Sequence, residues 1–179
     1  MPPEQQAMIS IRELTRKDIP QLQELAVRIY RDTFSHQNTP DNMESFLRKD
    51  YSTESFEREF GEIGSRYYFA CDDNIPVAYL RLRYNSEAES HLGKNTLELH
   101  RLYVDVNYQG RKIGNLLMEF AIQQAQALNI DWLWLGVWEH NPKAQRFYER
   151  WGFERFADHI FQMGDEAQTD WLLRKRISR

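Results

Sequence analysis

Six consecutive residues, Gln109-Gly110-Arg111-Lys112-Ile113-Gly114, lie where a strand pattern gives way to a helix pattern in the run LELHRLYVDVNYQGRKIGNLL. A loop that feeds a helix N-terminus leaves several backbone N–H groups without intrahelical partners, all pointing one way. Those donors, with the positive end of the helix dipole, form a seat for phosphate. Gly110 and Gly114 allow close approach to the backbone, and Arg111 and Lys112 add positive charge. Taken alone, the loop also fits an ordinary glycine-containing strand-to-helix turn. Two other phosphate loops are excluded by spacing. A P-loop needs a wider glycine spacing followed by Lys-Ser/Thr, whereas Asn115 follows Gly114; a dinucleotide loop needs Gly-x-Gly-x-x-Gly and a later acidic residue.

Three further residues could handle protons. Tyr148 follows Asn141 by seven positions on a short helical run, and a phenol is a protonated donor at neutral pH. His100 and Glu98 lie on the strand before the loop, where period-2 alternation places them on one face. An imidazole can take a proton near neutral pH. Without further context, a tyrosine among apolar neighbours reads as core and a lone strand histidine as structural. His36, His91, His140 and His159 form no usable spacing, Cys71 has no partner, and no metal site is expected. Trp132, Trp134 and Trp138 read as sheet packing.

The elements that position these residues follow from hydrophobic periodicity. Residues 8–14 alternate apolar and polar, as in a strand. Thr15 and Pro20 then open a helix whose apolar face is Ile19, Leu22, Leu25, Ala26, Ile29 and Tyr30. Thr39-Pro40 starts a second helix, with Met43, Phe46 and Leu47 inward, and Ser52 a third, with Phe56 and Phe60 inward. A hairpin spans 66–84 around Asp72-Asp73-Asn74, a polar loop covers 85–95, and 97–105 is a strand. A helix over 110–128, an apolar strand over 131–138 and a short helix over 142–151 ended by Gly152 come next. Strands at 155–163 and 169–175, joined by a turn at Gly164-Asp165, close the chain. The order is β-α-α-α-β-β-β-α-β-α-β-β, a mixed α/β sheet in one domain over 1–179.

Composition bounds the partners. The chain has 179 residues, 41% hydrophobic and 28% charged, enough apolar content to bury a core. Lys+Arg 23 against Asp+Glu 27 gives a net charge of -4, the wrong sign for a general nucleic-acid binder. No apolar run is long enough to span a membrane and the start lacks the pattern of a secretory signal, so a soluble cytoplasmic protein is expected.

The loop resembles the signature of the GNAT superfamily of N-acetyltransferases, Arg/Gln-x-x-Gly-x-Gly/Ala after a strand, with Lys112 in place of the middle glycine and Val106 where many members have proline. Lysine at 112 carries a cost if the position is left-handed. A second stretch, Asn141-Pro142-Lys143-Ala144-Gln145-Arg146-Phe147-Tyr148 with Trp151-Gly152-Phe153, is similar to the family's Asn-x-x-Ala-x-x-Phe-Tyr-x-x-x-Gly-Phe segment. Thr33-Phe34, Asn38-Thr39-Pro40 and Met43 resemble the start of polyamine acetyltransferases. The resemblance implies a GNAT-like, mostly antiparallel sheet splayed between its fourth and fifth strands and flanked by helices. It implies acetyl-CoA in that gap: pantetheine along the backbone of Leu102, Tyr103 and Val104, pyrophosphate on amides from Gly110 to Asn115 with Gln109 beside them, and Asn141, Lys143 and Ala144 on the other side. It gives Tyr148 the role of acid toward the departing thiolate, and it places His100, with Glu98 nearby, where a glutamate acts as base in polyamine enzymes.

The implied reaction is acetyl transfer to a primary amine by direct attack, with strand backbone donors stabilising the oxyanion. The expected partner is a small-molecule amine, with a homodimer admitted. Residues 41–62 contain seven acids and three bases, which favours a cationic acceptor such as a polyamine. Two alternatives stand beside it. A protein or peptide N-acetyltransferase calls for an open acceptor groove where a small-amine enzyme calls for a closed pocket. A non-catalytic acyl-CoA-binding regulatory module is disfavoured by the retention of Tyr148.

Overall fold

A computed structural model describes residues 8–84 and 92–178; the first part of the expected polar loop, 85–91, with His91, lies outside the described residues. Strand β1 (Ile9–Glu13) leads into α1 (Ile19–Phe34), whose apolar face is the one expected. Helix α2 (Pro40–Asp50) starts with Pro40 in its first turn and the Thr39 hydroxyl accepting from the Asn42 N–H at 3.2 Å. Helix α3 (Thr53–Gly61) is capped in the same way, Ser52 accepting from the Ser55 N–H at 3.1 Å. Strands β2 (Ser65–Asp72) and β3 (Ile75–Tyr84) form the hairpin, and β4 (Thr96–Val104) follows. Asp73 and Asn74 take the positive φ values, 45° and 69°, that a tight two-residue hairpin turn requires.

Helix α4 (Ile113–Ala127) begins three residues later than its sequence pattern implies, because 106–108 form a 3-10 turn and 109–112 a loop. Strand β5 (Trp132–Trp138), helix α5 (Pro142–Arg150) and the hairpin β6 (Glu154–Met163) and β7 (Glu166–Arg176) complete the chain. The seven strands run in the order β1-β2-β3-β4-β5-β7-β6, antiparallel except for the β4–β5 pair. This is the splayed mixed sheet that the motifs imply.

Two cores cover the two faces. Leu97, Leu99, Leu133, Leu135 and Val137 pack with Ile113, Leu117, Met118 and Ala121 of α4 on one side. On the other, α1, α2 and α3 bring Leu22, Ile29, Phe46 and Phe56 onto Tyr67, Phe69 and Tyr79. None of the described helices is long and apolar enough to cross a membrane.

The gap that matters for function has a local cause. Strands β4 and β5 pair only at Thr96–Trp132, Leu97–Leu133 and Glu98–Trp134. Beyond that, the β3–β4 register steps from Leu82–Leu99 to Arg81–Arg101, leaving His100 as an extra residue on β4. A β-bulge bends its strand and increases local twist. Here it comes just after the last β4–β5 pair, so the strands part and their facing backbone groups are left outside the sheet. The bulge also interrupts the alternation assumed from sequence: Leu97 and Leu99 face the α4 side, and so do Leu102 and Val104.

Candidate active site

A cavity of about 1100 Å³ fills the gap between β4 and β5 and reaches from the 109–115 loop to helices α1 and α2. It gathers every candidate catalytic and cofactor-binding residue named from the sequence except Arg111, which turns away to Asp72 at 3.8 Å and covers the Tyr108 ring at 4.7 Å.

At the loop end, the first intrahelical bond of α4 is from the Leu116 N–H to the Lys112 carbonyl at 3.1 Å. The N–H groups of Ile113, Gly114 and Asn115 precede it, and no side chain caps the helix. They are donors available to an anion, beside the Lys112 charge. Lys112 itself sits at φ +62°, ψ +15°, so the position that holds glycine in the family pattern is left-handed here. The two flanking glycines differ. Gly110 has φ +82° with open space around it, whereas a Cβ on Gly114 would meet the Phe147 ring at 3.6 Å. Across the mouth, Lys143 Nζ donates to Gln109 Oε1, and Gln109 Nε2 donates to the Val104 carbonyl at 3.3 Å, joining the α5 and β4 walls. The Asn141 side chain caps α5, accepting from the Ala144 N–H at 3.2 Å, so its amide is already engaged. Asn115 accepts from the Trp151 indole at 3.3 Å.

In the middle of the gap, Tyr148 is buried between Phe147 and Phe153, with ring centroids 5.4 and 5.8 Å away. Burial pushes its phenol up, so it stays protonated at any working pH. Its hydroxyl makes no hydrogen bond among the described residues and its side chain lines the cavity. Tyr103, from β4, packs edge-on to Phe34 and Tyr30 at the far end.

The two candidate bases have environments that the sequence does not convey. Glu98 is salt-bridged to Arg83 Nη1 at 3.0 Å. His100 Nδ1 lies 3.2 Å from Arg81 Nη1. A guanidinium only donates, so Nδ1 accepts and the neutral ring carries its proton on Nε2. Burial first, then Arg101, Arg81 and Arg83, hold the His100 pKa well below its usual value. An imidazole held in this way is neutral, with its proton on Nε2, and accepts a further proton less readily than a free histidine. Arg81 and Arg101 belong to a buried network: Glu59 accepts from Arg101 at 3.0 and 3.2 Å, pairs with Arg81 at 3.1 Å and accepts from the Tyr67 hydroxyl.

The acidic segment at 41–62 proves to be largely neutralised by arginines from elsewhere. Glu44 pairs with Arg31, Glu57 with Arg16, Glu59 with Arg81 and Arg101, and Glu62 with Arg81 and Arg83. Of the seven acids, only Asp50 and Glu59 line the cavity. The carboxylate that stands out is one that sequence reading passes over, Asp170 on β7. It lines the cavity near Gly136 and Trp138, whose indole N–H is buried without a partner among the described residues. Burial raises the Asp170 carboxyl to about 6. Gly136 is the sequence signal that could have led there, since a glycine inside an apolar strand marks a close approach. Trp134 and Trp138, read from sequence as packing, form part of the same wall.

A splayed β4–β5 pair, an uncapped helix start with free amides and a protonated phenol between them are the arrangement expected of an acyl-CoA-dependent acyltransferase. Comparison with known proteins gives the family. The model of the acetyltransferase (GNAT) family matches residues 20–153, and the chain belongs to that family. An uncharacterized N-acetyltransferase in the pepI 3' region of Lactobacillus delbrueckii subsp. lactis is 35% identical over 169 residues, covering 94% of this chain and 98% of that protein. The crystal structure of PaiA N-acetyltransferase from Thermoplasma acidophilum in complex with coenzyme A has the same fold, with a TM-score of 0.76 at 24% identity over 94% of this chain and 99% of that one. A probable spermine N(1)-acetyltransferase of Bacillus subtilis subsp. natto is 33% identical over 57 residues, 31% of this chain and 38% of that protein.

Acetyl-CoA is the cosubstrate of this family. The residues present fit it: the free amides at the start of α4 suit its phosphates, and the β5-facing edge of β4, unpaired beyond Glu98, suits its amide-bearing arm.

Proposed function

We propose that this enzyme acetylates the primary amine of a small cationic acceptor, a polyamine being the leading candidate. The observation that carries the small-acceptor reading is that the far end of the cavity is bridged over. Gln168 of β7 donates to Asn38 Oδ1 at 3.3 Å, Tyr30 of α1 meets Met163 of β6, and Gly164 lies against Asn42 with no room for a Cβ. These contacts join the α1–α2 connection to the β6–β7 hairpin at that end of the cavity, a closure that favours a small acceptor over an extended peptide. The aromatic wall of Tyr30, Phe34, Tyr103 and Trp138 favours a cation on an apolar stem. The partial likeness to a probable spermine acetyltransferase supports the same acceptor class.

In this reading each group has one task. The amides of Ile113, Gly114 and Asn115, with Lys112, bind the phosphates. Leu102, Tyr103 and Val104 align the arm as a further strand would. Asn141 holds α5 in place through its cap, with Lys143 and Ala144 beside the cofactor. Tyr148 gives its proton to the departing sulfur. Backbone N–H groups beside the bulge stabilise the oxyanion, and His100 keeps the bulge joined to Arg81. The test is thiol release from acetyl-CoA with an amine panel. Spermidine-like amines are expected to react faster than zwitterionic amino acids and N-terminal peptides, with rates falling as salt is added. Peptides reacting fastest would transfer the reading to a protein N-acetyltransferase.

A further inference from the structure

We infer that Asp170 receives the acceptor: its carboxylate pairs with the incoming ammonium beside Gly136 and takes one of its protons. The inference rests on the acetyl-transfer reading above and assigns the proton acceptor within that site.

The geometry begins with strand register. Asp170 on β7 pairs with Trp138 on β5 and with His159 on β6, and Gly136 is two residues before Trp138 on the same face. A Cβ on Gly136 would stand 3.5 Å from Asp170 Oδ2 and 3.6 Å from Leu172 Cδ2. With hydrogen there instead, the carboxylate lies over bare backbone in the part of β5 that has separated from β4. It makes no salt bridge or hydrogen bond among the described residues, whereas Glu59 and Glu98 on the same cavity wall are tied to arginines. A largely buried carboxylate without a cation is costly, and a ligand that brings an ammonium group removes that cost.

The charged and titratable groups facing Asp170 are few. His159 faces it from β6 and lowers its pKa; Glu139, just after β5, raises it. The phenols of Tyr30 on α1 and Tyr103 on β4 face it across the cavity, both pushed up by burial and so neutral. None of these is a permanent cation. With its carboxyl raised to about 6, Asp170 is ionised at neutral pH yet basic enough to hold a proton for a time. His100, ringed by Arg81, Arg83 and Arg101, is not.

The ammonium gives one proton to Asp170, and the freed nitrogen pair forms the bond to the thioester carbonyl carbon. The carbon–sulfur bond then breaks, with its electrons going to sulfur, which takes the Tyr148 proton. The second proton of the nitrogen returns to the Tyr148 oxygen, directly or through water, and Asp170 releases its proton to solvent. Because the carboxylate is the active form, kcat/KM rises with pH through about 6.

The experiment measures thiol release against pH from 5 to 9 with spermidine for the wild type, Asp170→Asn and His100→Gln. Asp170→Asn keeps shape and is expected to lower kcat/KM roughly 10²–10⁴-fold and to lose the limb near pH 6, with calorimetric CoA affinity unchanged. His100→Gln is expected to keep that limb. Carboxyl NMR on the wild type provides a check that needs no variant: the Asp170 signal should titrate with the limb and shift when spermidine is added without cofactor. An Asp170→Asn enzyme with a wild-type profile, or an Asp170 signal indifferent to the amine, overturns the assignment and leaves acetyl transfer standing. A wild type that releases thiol with no amine in the panel overturns the acetyl-transfer reading itself.

Discussion

Lys112 occupies a conformation that its side chain disfavours, φ +62°, at the point where the loop turns into α4 and presents the amides proposed to hold the phosphates. Left-handed backbone costs a residue with a Cβ roughly 1–2 kcal/mol. Lys112→Gly is therefore expected to raise stability by about 0.5–1 kcal/mol while weakening CoA binding several-fold through the lost charge. Thermal melting and calorimetry measure the two effects separately. Tyr148→Phe removes one hydroxyl from a ring held by Phe147 and Phe153. Turnover should fall roughly 10²–10⁴-fold with CoA affinity nearly unchanged. Full turnover in that variant, with chemistry shown to be rate-limiting, would assign the acid to another group.

At the scale of elements, the decisive feature is a strand fault. The extra residue at His100 sits between Leu99 and Arg101, and the side chains beside it are anchored to other strands and to α3. Arg101 reaches Glu59, and Arg81 bridges Glu59, Glu62 and the His100 ring. This buried cluster fixes where β4 leaves β5 and so where the cavity opens. Removing one charge from such a cluster leaves the others uncompensated. Glu59→Gln is expected to cost about 3–5 kcal/mol, read from urea unfolding, and to lower activity even where the protein stays folded. A stability loss within a few tenths of a kcal/mol would mean that the cluster does not hold the strands.

Across the whole molecule, the N-terminal helices and the C-terminal hairpin close the acceptor end together. Gly164 takes φ +62° at the hairpin tip, and its Cα hydrogens face the Asn42 amide. Gly164→Ala would both strain the turn and overlap Asn42, lifting β6–β7 away from α2. The expected outcome is a higher KM for small amines and weaker discrimination against peptides, with CoA affinity retained because the loop end is untouched. Steady-state kinetics on the two acceptor classes reads this directly, and unchanged selectivity would remove the bridging argument for a small acceptor.

The sequence by itself determined the order of elements, because each core-facing run, from Ile19–Ile29 to Leu133–Val137, repeats with the period of its own helix or strand. It made the proposed phosphate seat legible too, since the glycines and the helix start are contiguous in the chain and act through local backbone. The environments of single side chains were not legible in this way. Alternation could not reveal the bulge at His100, which depends on pairing with β3, nor the arginines that surround that histidine and lower its pKa. The acids of 41–62 looked free in a linear count and are mostly paired with residues far along the chain. Asp170 lies 70 residues beyond His100 and meets the cleft only because β7 inserts beside β5 and Gly136 leaves space above it. Electrostatics depends on distance in space rather than along the chain, and only the tertiary structure decides which charges are near.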